Sequence, residues 1–93
     1  MYATVRAYSG ANELADALVE HAADIEALIG GIDGFKAYYL VRTGDGAASI
    51  SVFETEAGAA ASTAAAAAWI GENLPGLGIG APQVSAGEVA LSF

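Results

Sequence analysis

Few residues of this chain could do chemistry, and its one histidine is the first of them. His21 could act as a base near neutral pH or donate a hydrogen bond to a bound phenolate. The alternative is a partly buried histidine whose ring nitrogens are paired with a backbone group or a tyrosine. One histidine without acids at ligand spacing does not make a metal site, and the chain has no cysteine, so we expect no metal.

The single tryptophan is the second candidate. Trp69 could stack on a flat ligand, or it could fill the space left by the alanines around it in the sequence. Other patterns associated with catalysis are weak. No two carboxylates are forced together as an acid–base pair requires, and the glycines of PGLGIGAP, residues 75–82, lack the Lys-Ser/Thr of a phosphate-binding loop.

Charge and composition exclude several classes of partner. Eleven acids against three bases give a net charge of −8, which repels phosphate backbones and anionic lipids, so neither nucleic acid nor a membrane is an expected partner. The first ten residues lack a signal-peptide pattern, and the absence of cysteine fits a reducing compartment, so we expect a cytoplasmic protein. Hydrophobic residues make up 55% of the chain, more than one small domain hides, which indicates an oligomer.

Periodicity and capping signals predict the elements that position these residues. Asn12 and Thr55 are suitable helix N-cap residues, and Asp45-Gly46 between two apolar runs is typical of a two-residue hairpin turn. The order βαββαβ predicts a ferredoxin-like α+β fold, in which an antiparallel sheet of strand order 4-1-3-2 carries two helices on one face. The predicted elements of this single domain, residues 1–93, are a strand at 2–8, a helix from Asn12 to Gly30, the hairpin, a helix at 56–74 and a strand at 84–93.

The predicted hairpin register sorts side chains onto two faces of the sheet. A turn centred on Asp45-Gly46 sets Tyr39 opposite Val52 and Tyr38 opposite Phe53. Leu40 then lies opposite Ser51, and Arg42 opposite Ser49. One face is almost wholly apolar, and we expect the helices to cover it. The residues of this face are Phe35, Ala37, Tyr39, Val41, Ala48, Ile50 and Val52.

The other, mixed face is expected to pack against the same face of a second copy, which predicts a homodimer. Arg6 on the first strand and Glu88 on the last would be neighbours there and would form an ion pair that fixes the register of the interface. The residues predicted for this interface are Arg6, Tyr8, Tyr38, Leu40, Arg42, Phe53 and Glu88.

Several segments resemble small bacterial proteins of the antibiotic biosynthesis monooxygenase-like superfamily. They are GFKAYYLV, GDGAASISVFE, the AxW of Ala67 to Trp69, the ENL of Glu72 to Leu74, and AGEVAL from Ala86 to Leu91. The resemblance extends over nearly the whole chain. It implies a dimeric α+β barrel, in which two ferredoxin-like protomers pack their sheets together.

The resemblance also implies a pocket between the sheet and the helices for a small aromatic or hydrophobic ligand. Trp69 matches in kind the tryptophan often found in such pockets, and Phe35 and Tyr39 would bind the same ligand. His21 and Trp69 are then the candidate catalytic residues of an oxygenase that needs no cofactor, because a phenolic or quinol substrate itself activates oxygen. The alternatives are a binding or structural dimer without catalysis and a ligand-sensing module.

Overall fold

The computed structural model describes residues 1–10 and 12–93, and it confirms the predicted fold class. All strand pairs are antiparallel, and the sheet has the predicted strand order, β2-β3-β1-β4. Among the described residues no helix is both long enough and apolar enough to cross a membrane. The elements are β1 Tyr2–Ser9, α1 Asn12–Glu20, α2 Ala22–Gly30, β2 Phe35–Thr43, β3 Gly46–Phe53, α3 Glu56–Asn73, a 3₁₀ turn at Pro75–Leu77 and β4 Gln83–Glu88.

The first predicted helix is two helices, α1 and α2, because the chain leaves helical geometry at His21, where φ is −103° and ψ is 26°. Asn12, predicted as the N-cap, is the first helical residue of α1, and the position before it lies outside the described residues. The predicted apolar stripe is present, although His21 itself is only half-buried. The buried residues of the two helices are Leu14, Ala15, Leu18, Ile25 and Ile29.

The long helix α3 begins as predicted and lies very close to the sheet. The Thr55 hydroxyl accepts a hydrogen bond from the Gly58 backbone N–H at 3.2 Å, which satisfies one of the free amides of the first turn. A Cβ atom on Gly58 would lie 2.9 Å from Cδ2 of Phe53. Glycine therefore permits the close approach of α3 to β3, and the buried Ala59 and Ser62 continue the same contact surface.

The hairpin turn is one residue earlier than predicted. Thr43 pairs with Gly46, so the turn residues are Gly44 and Asp45. No described residue other than glycine has a positive φ, which rules out the type I′ conformation expected of Asp45. The register is consequently shifted by two: Arg42 lies opposite Ala47, Leu40 opposite Ser49, Tyr39 opposite Ile50 and Tyr38 opposite Ser51. A shift of two residues leaves the side chains from Ala37 to Arg42 on their predicted face, whereas Phe35, before the irregularity at Phe35/Ala37, changes face.

The prediction of which face the helices cover is wrong. The mixed face lies beneath them, and Thr4, Arg6, Tyr8, Ser49, Ser51 and Phe53 are its buried residues. The apolar face is open, and Tyr39 on it is 60% exposed. Two features of the mixed face explain this choice. Its large aromatic side chains fill the space between the sheet and α3, which the small alanine side chains of α3 would leave empty. Its polar groups form hydrogen bonds with hydroxyl groups of α3.

The last strand is shorter than predicted. β4 pairs with β1 from Gln83 to Glu88, and a final backbone hydrogen bond joins the Val89 N–H to the Met1 carbonyl oxygen at 2.9 Å. Residues 89–93 are not part of a regular strand. Leu91 and Phe93, predicted within the strand, are instead exposed.

Candidate ligand site

An apolar cavity of about 360 Å³, which we call the outer cavity, lies between the two short helices and β2. Leu18 comes from α1, Ile25 and Ile29 from α2, and Phe35 and Tyr38 from β2. Its volume is in the lower part of the range for small-molecule sites, about 300–1,000 Å³. Tyr38 and the exposed Glu26 are the polar residues that line it.

A second, much smaller cavity of about 20 Å³, the inner chamber, lies deeper between the sheet and α3. Arg6, Tyr8, Ser49 and Trp69 line it together with Tyr38. Its volume is enough for roughly one water-sized group. The outer cavity and the inner chamber are neighbours, because they share four lining side chains, Leu18, Ile25, Ile29 and Tyr38.

Arg6 is the most unusual residue of the inner chamber because it is a cation that is only 1% exposed. From β1 its Nε donates to the Ser49 hydroxyl at 3.1 Å and its Nη2 donates to the Ser51 hydroxyl at 2.8 Å, both on β3. Its Nη1 donates to the Ser62 and Thr63 hydroxyls of α3, each at 3.1 Å. The guanidinium therefore joins the two central strands to the long helix.

Two tyrosines complete the polar wall of the inner chamber. Burial raises the pKa of the Tyr8 and Tyr38 phenols, and the Arg6 guanidinium offsets part of that increase. Burial also lowers the pKa of Arg6, against the opposing effect of the Tyr8 and Tyr38 oxygens. At neutral pH the chamber thus holds two protonated phenols beside one buried guanidinium.

The two candidate catalytic residues are in contact with each other. The His21 and Trp69 rings meet edge to face, with centroids 5.2 Å apart. Trp69 lines the inner chamber, whereas His21 lies outside both cavities with its side chain 40% exposed. The His21 Nδ1 atom is 3.4 Å from a carboxylate oxygen of Asp24, a long contact at the surface. Residues 1–10 and 12–93 contain no group of three or more potential metal ligands from His, Cys, Asp and Glu.

The two remaining residues predicted to bind ligand lie on opposite faces of the sheet. Phe35 lines the outer cavity, because a β-bulge between Phe35 and Ala37 reverses the alternation of side chains at that point. The predicted position of Tyr39 in the pocket is wrong. Its side chain is on the open face, and it lines neither cavity.

The predicted interface residues are mostly inside the protomer. Arg6, Tyr8, Tyr38, Leu40 and Phe53 lie under the helices, so they cannot form a surface between two copies. The predicted ion pair between Arg6 and Glu88 is also absent, because Arg6 lies opposite Val84 and Glu88 lies opposite Tyr2. Arg42 is exposed and pairs with Asp16 of α1, and Glu88 is exposed at the end of β4.

Sequence reasoning missed the polar cluster around Arg6, although a signal for it exists. Thr4 and Arg6 alternate on β1, Ser49 and Ser51 alternate on the neighbouring β3, and all four fall on one face. Hydroxyls next to a lone arginine on one sheet face indicate a buried guanidinium with neutral acceptors. Of these four residues the sequence prediction places only Arg6 at a protomer interface, because it assumes that the mixed face is uncovered.

Comparison with known proteins supports the fold. No protein-family model and no curated protein sequence matches the chain. A solved structure of NE2512, a protein of unknown function from Nitrosomonas europaea, matches with a TM-score of 0.67 and 20% identity over 99% of this chain and 90% of that one. A monooxygenase from the gene ActVA-Orf6 of Streptomyces coelicolor, solved in complex with Nanaomycin D, matches with the same score and identity over 99% of this chain and 88% of its own. These likenesses confirm the protomer fold that the resemblance to the antibiotic biosynthesis monooxygenase-like superfamily implied.

Proposed function

We propose that the protein binds a small aromatic ligand in the outer cavity. The observation that carries the proposal is the cavity itself: about 360 Å³, apolar on the helix side, and bounded on the sheet side by Phe35, Tyr38 and Leu40. Apolar walls with a few placed polar groups are typical of small-molecule sites. Tyr38 lines both the outer cavity and the inner chamber, so its ring is available to contact a bound ring.

A pair of matched variants tests this proposal by calorimetric titration with 2-naphthol. Val19 lies exposed at the outer cavity, so Val19→Trp fills the opening without disturbing the core, and we expect it to weaken binding by about tenfold or more. Val84→Trp makes the same exchange at an exposed position of β4 away from this cavity, and binding should be unchanged. Failure of the wild type to bind 2-naphthol or any other small aromatic probe would contradict the proposal.

The second candidate function is oxygenation of such a ligand without a cofactor. It is supported by the fold shared with the Streptomyces coelicolor monooxygenase and by the contact of His21 with Trp69 beside the inner chamber. An electron-rich ring supplies its own electrons: a CH₂ group and O₂ become a carbonyl group and one water. In this scheme Trp69 would contact the ligand from the inner chamber, and His21, which lines neither cavity, would act through its contact with the Trp69 ring.

Oxygen uptake with a panel of anthrols and quinols tests this second candidate. We expect Trp69→Phe and His21→Ala to reduce the rate relative to the wild type, and the pairing of both rings predicts similar losses. Equal rates of oxygen uptake in all three proteins would show that Trp69 and His21 do not have the assigned catalytic roles. If the wild type consumes no oxygen but binds aromatic probes, the protein is a binding or ligand-sensing module.

The same proposal includes a homodimer, formed through the open face of the sheet rather than through the mixed face. Val5, Tyr39 and Val41 are large apolar residues exposed on it. An exposed apolar face of several strands is typical of a protein–protein interface, and twofold dimers are the commonest homo-oligomers. Sedimentation of the wild type tests the dimer, and a monomer at micromolar concentration would contradict it.

A further inference from the structure

Arg6 carries a buried charge that no acidic side chain balances. Its hydrogen-bond acceptors are four neutral hydroxyls. The acid–base contacts of the described residues lie at the surface, and Arg6 takes part in none of them. The hydroxyl groups accept from four of the five guanidinium N–H donors and leave one on Nη2. They do not supply the negative charge that ordinarily accompanies a buried guanidinium.

We propose that the ligand of this site is an aromatic anion whose charged oxygen lies in the inner chamber and is bound by Arg6, Tyr8 and Tyr38. The inference rests on the proposed function and specifies its ligand. The ring occupies the outer cavity, and the oxygen reaches past Tyr38 into the inner chamber. The two spaces adjoin each other, because Leu18, Ile25, Ile29 and Tyr38 line both.

The dimensions of the inner chamber restrict the anion. About 20 Å³ has room for one oxygen atom of a ligand and not for a phosphate or sulfonate group. The charge is therefore carried by an ionised phenol or by a carboxylate that presents one oxygen. A single guanidinium also matches a single negative charge.

The surroundings give the ligand one orientation. Glu26 is the charged residue of the outer cavity, and its carboxylate repels an anion there, whereas the positive charge lies at the inner end. Burial keeps the Tyr8 and Tyr38 phenols protonated at neutral pH, so both can donate hydrogen bonds to the oxygen. The four hydroxyls hold the guanidinium in place before any ligand arrives, which reduces the ordering that binding requires.

Paired ligands and paired variants test the proposal by calorimetry. We expect the wild type to bind 2-naphthoate at least about tenfold more tightly than the neutral 2-naphthalenemethanol, because an ionised acceptor makes the stronger hydrogen bonds. Arg6→Met should abolish this preference. Arg42→Met removes the same charge from an exposed residue paired with Asp16 and should retain the preference.

The outcomes separate this inference from the proposed function. Equal binding of both naphthalenes to the wild type, with no rise in the phenolate absorbance of added 4-nitrophenol, would overturn the anion site and leave the aromatic site standing. Binding of neither naphthalene would overturn both. A preference that persists in folded Arg6→Met would also overturn the role of Arg6.

A spectroscopic experiment distinguishes a phenolate from a carboxylate ligand. It also tests whether the site binds an anion if Arg6→Met does not fold. 4-Nitrophenol is added to the wild type below its own pKa, where the free probe is mostly neutral. Binding beside a guanidinium favours the charged form, so the absorbance of the phenolate should rise as protein is added. If 2-naphthoate is preferred and this absorbance does not rise, the ligand is a carboxylate. If the preference is absent and the absorbance does not rise, there is no anion site.

Discussion

At the scale of single residues, the hydroxyls around Arg6 are the polar contacts on which the fold most depends. Ser62 is fully buried, accepts from the Arg6 Nη1 at 3.1 Å and donates to the Ala59 carbonyl oxygen at 2.7 Å. We expect Ser62→Ala to lower the free energy of unfolding by about 1–3 kcal/mol, because a charged donor loses an acceptor in the interior. Urea denaturation measures the change. Ser9→Ala, at an exposed position, is the control, and equal losses in the two variants would contradict this role.

The buried phenols give the protein a defined response to alkali. Because burial raises the pKa of Tyr8 and Tyr38 in the folded protein, the unfolded chain loses these protons first as the pH rises past about 10. Their contribution to stability is complete below that pH and is lost as the pH rises through the higher folded values. Denaturation at a series of alkaline pH values should show this decline, and Tyr38→Phe should make it shallower. An unchanged slope in the variant would show that Tyr38 ionises alike in both states.

The residue scale also shows where sequence reasoning works and where it fails. His21 and Trp69 could be selected because each is the only residue of its type, and the structure does bring their rings together. Arg6 was predicted at a protomer interface in an ion pair with Glu88 and not in the ligand site, because an arginine is ordinarily expected at a surface or in an ion pair. Only the three-dimensional arrangement reveals that four hydroxyls from β3 and α3 surround it.

At the scale of elements, substitutions of the α3 glycines distinguish the effect of close packing on stability from the effect of helix propensity. Gly58→Ala would place Cβ 2.9 Å from Cδ2 of Phe53 and 3.1 Å from the Asp33 carbonyl oxygen. We expect a loss of about 1–3 kcal/mol from this overpacking. Gly71→Ala is in the same helix with nothing within 4 Å, so it should stabilise the protein by up to about 1 kcal/mol. Thermal denaturation of both variants measures the difference, and stabilisation by Gly58→Ala would disprove the close packing.

The sequence predicted those features of the elements that depend on neighbouring residues and on the handedness of short connections. The Thr55 cap of α3 and the strand order follow from side-chain capping and from the handedness of connections, and both are confirmed. The hairpin turn was misplaced by one residue because Asp45-Gly46 and Gly44-Asp45 are both good turn pairs in the sequence. The end of β4 at Glu88 is set by its pairing with β1, a tertiary contact that the pattern of residues 84–93 does not contain.

At the scale of the whole molecule, the decisive error concerned the two faces of the sheet. Alternation assigns residues to faces, but it does not state which face a helix covers. The apolar face was the reasonable choice for a core, yet packing against a second copy would remove its apolar surface from water equally well. The large side chains Tyr8, Leu40 and Phe53 and the hydroxyl-matched Arg6 belong to the protomer interior. Val5, Tyr39 and Val41 are exposed on the open face.

Matched charge substitutions test what covers the open face. Val5 lies on the central strand β1 of that face and is partly exposed in the protomer, so Val5→Lys is tolerated by a monomer. In a face-to-face dimer the same lysine is buried against an apolar surface, close to the corresponding lysine of the second copy. Burying these charges costs several kcal/mol, so we expect the dissociation constant of the dimer to rise by about a hundredfold or more. Val19→Lys makes the same exchange at an exposed position of α1 and should leave the dimer intact. Sedimentation velocity over a concentration series, with circular dichroism to verify folding, measures both. A dimer that withstands Val5→Lys but dissociates with Val19→Lys would place the interface on the helical side and return the open sheet face to solvent.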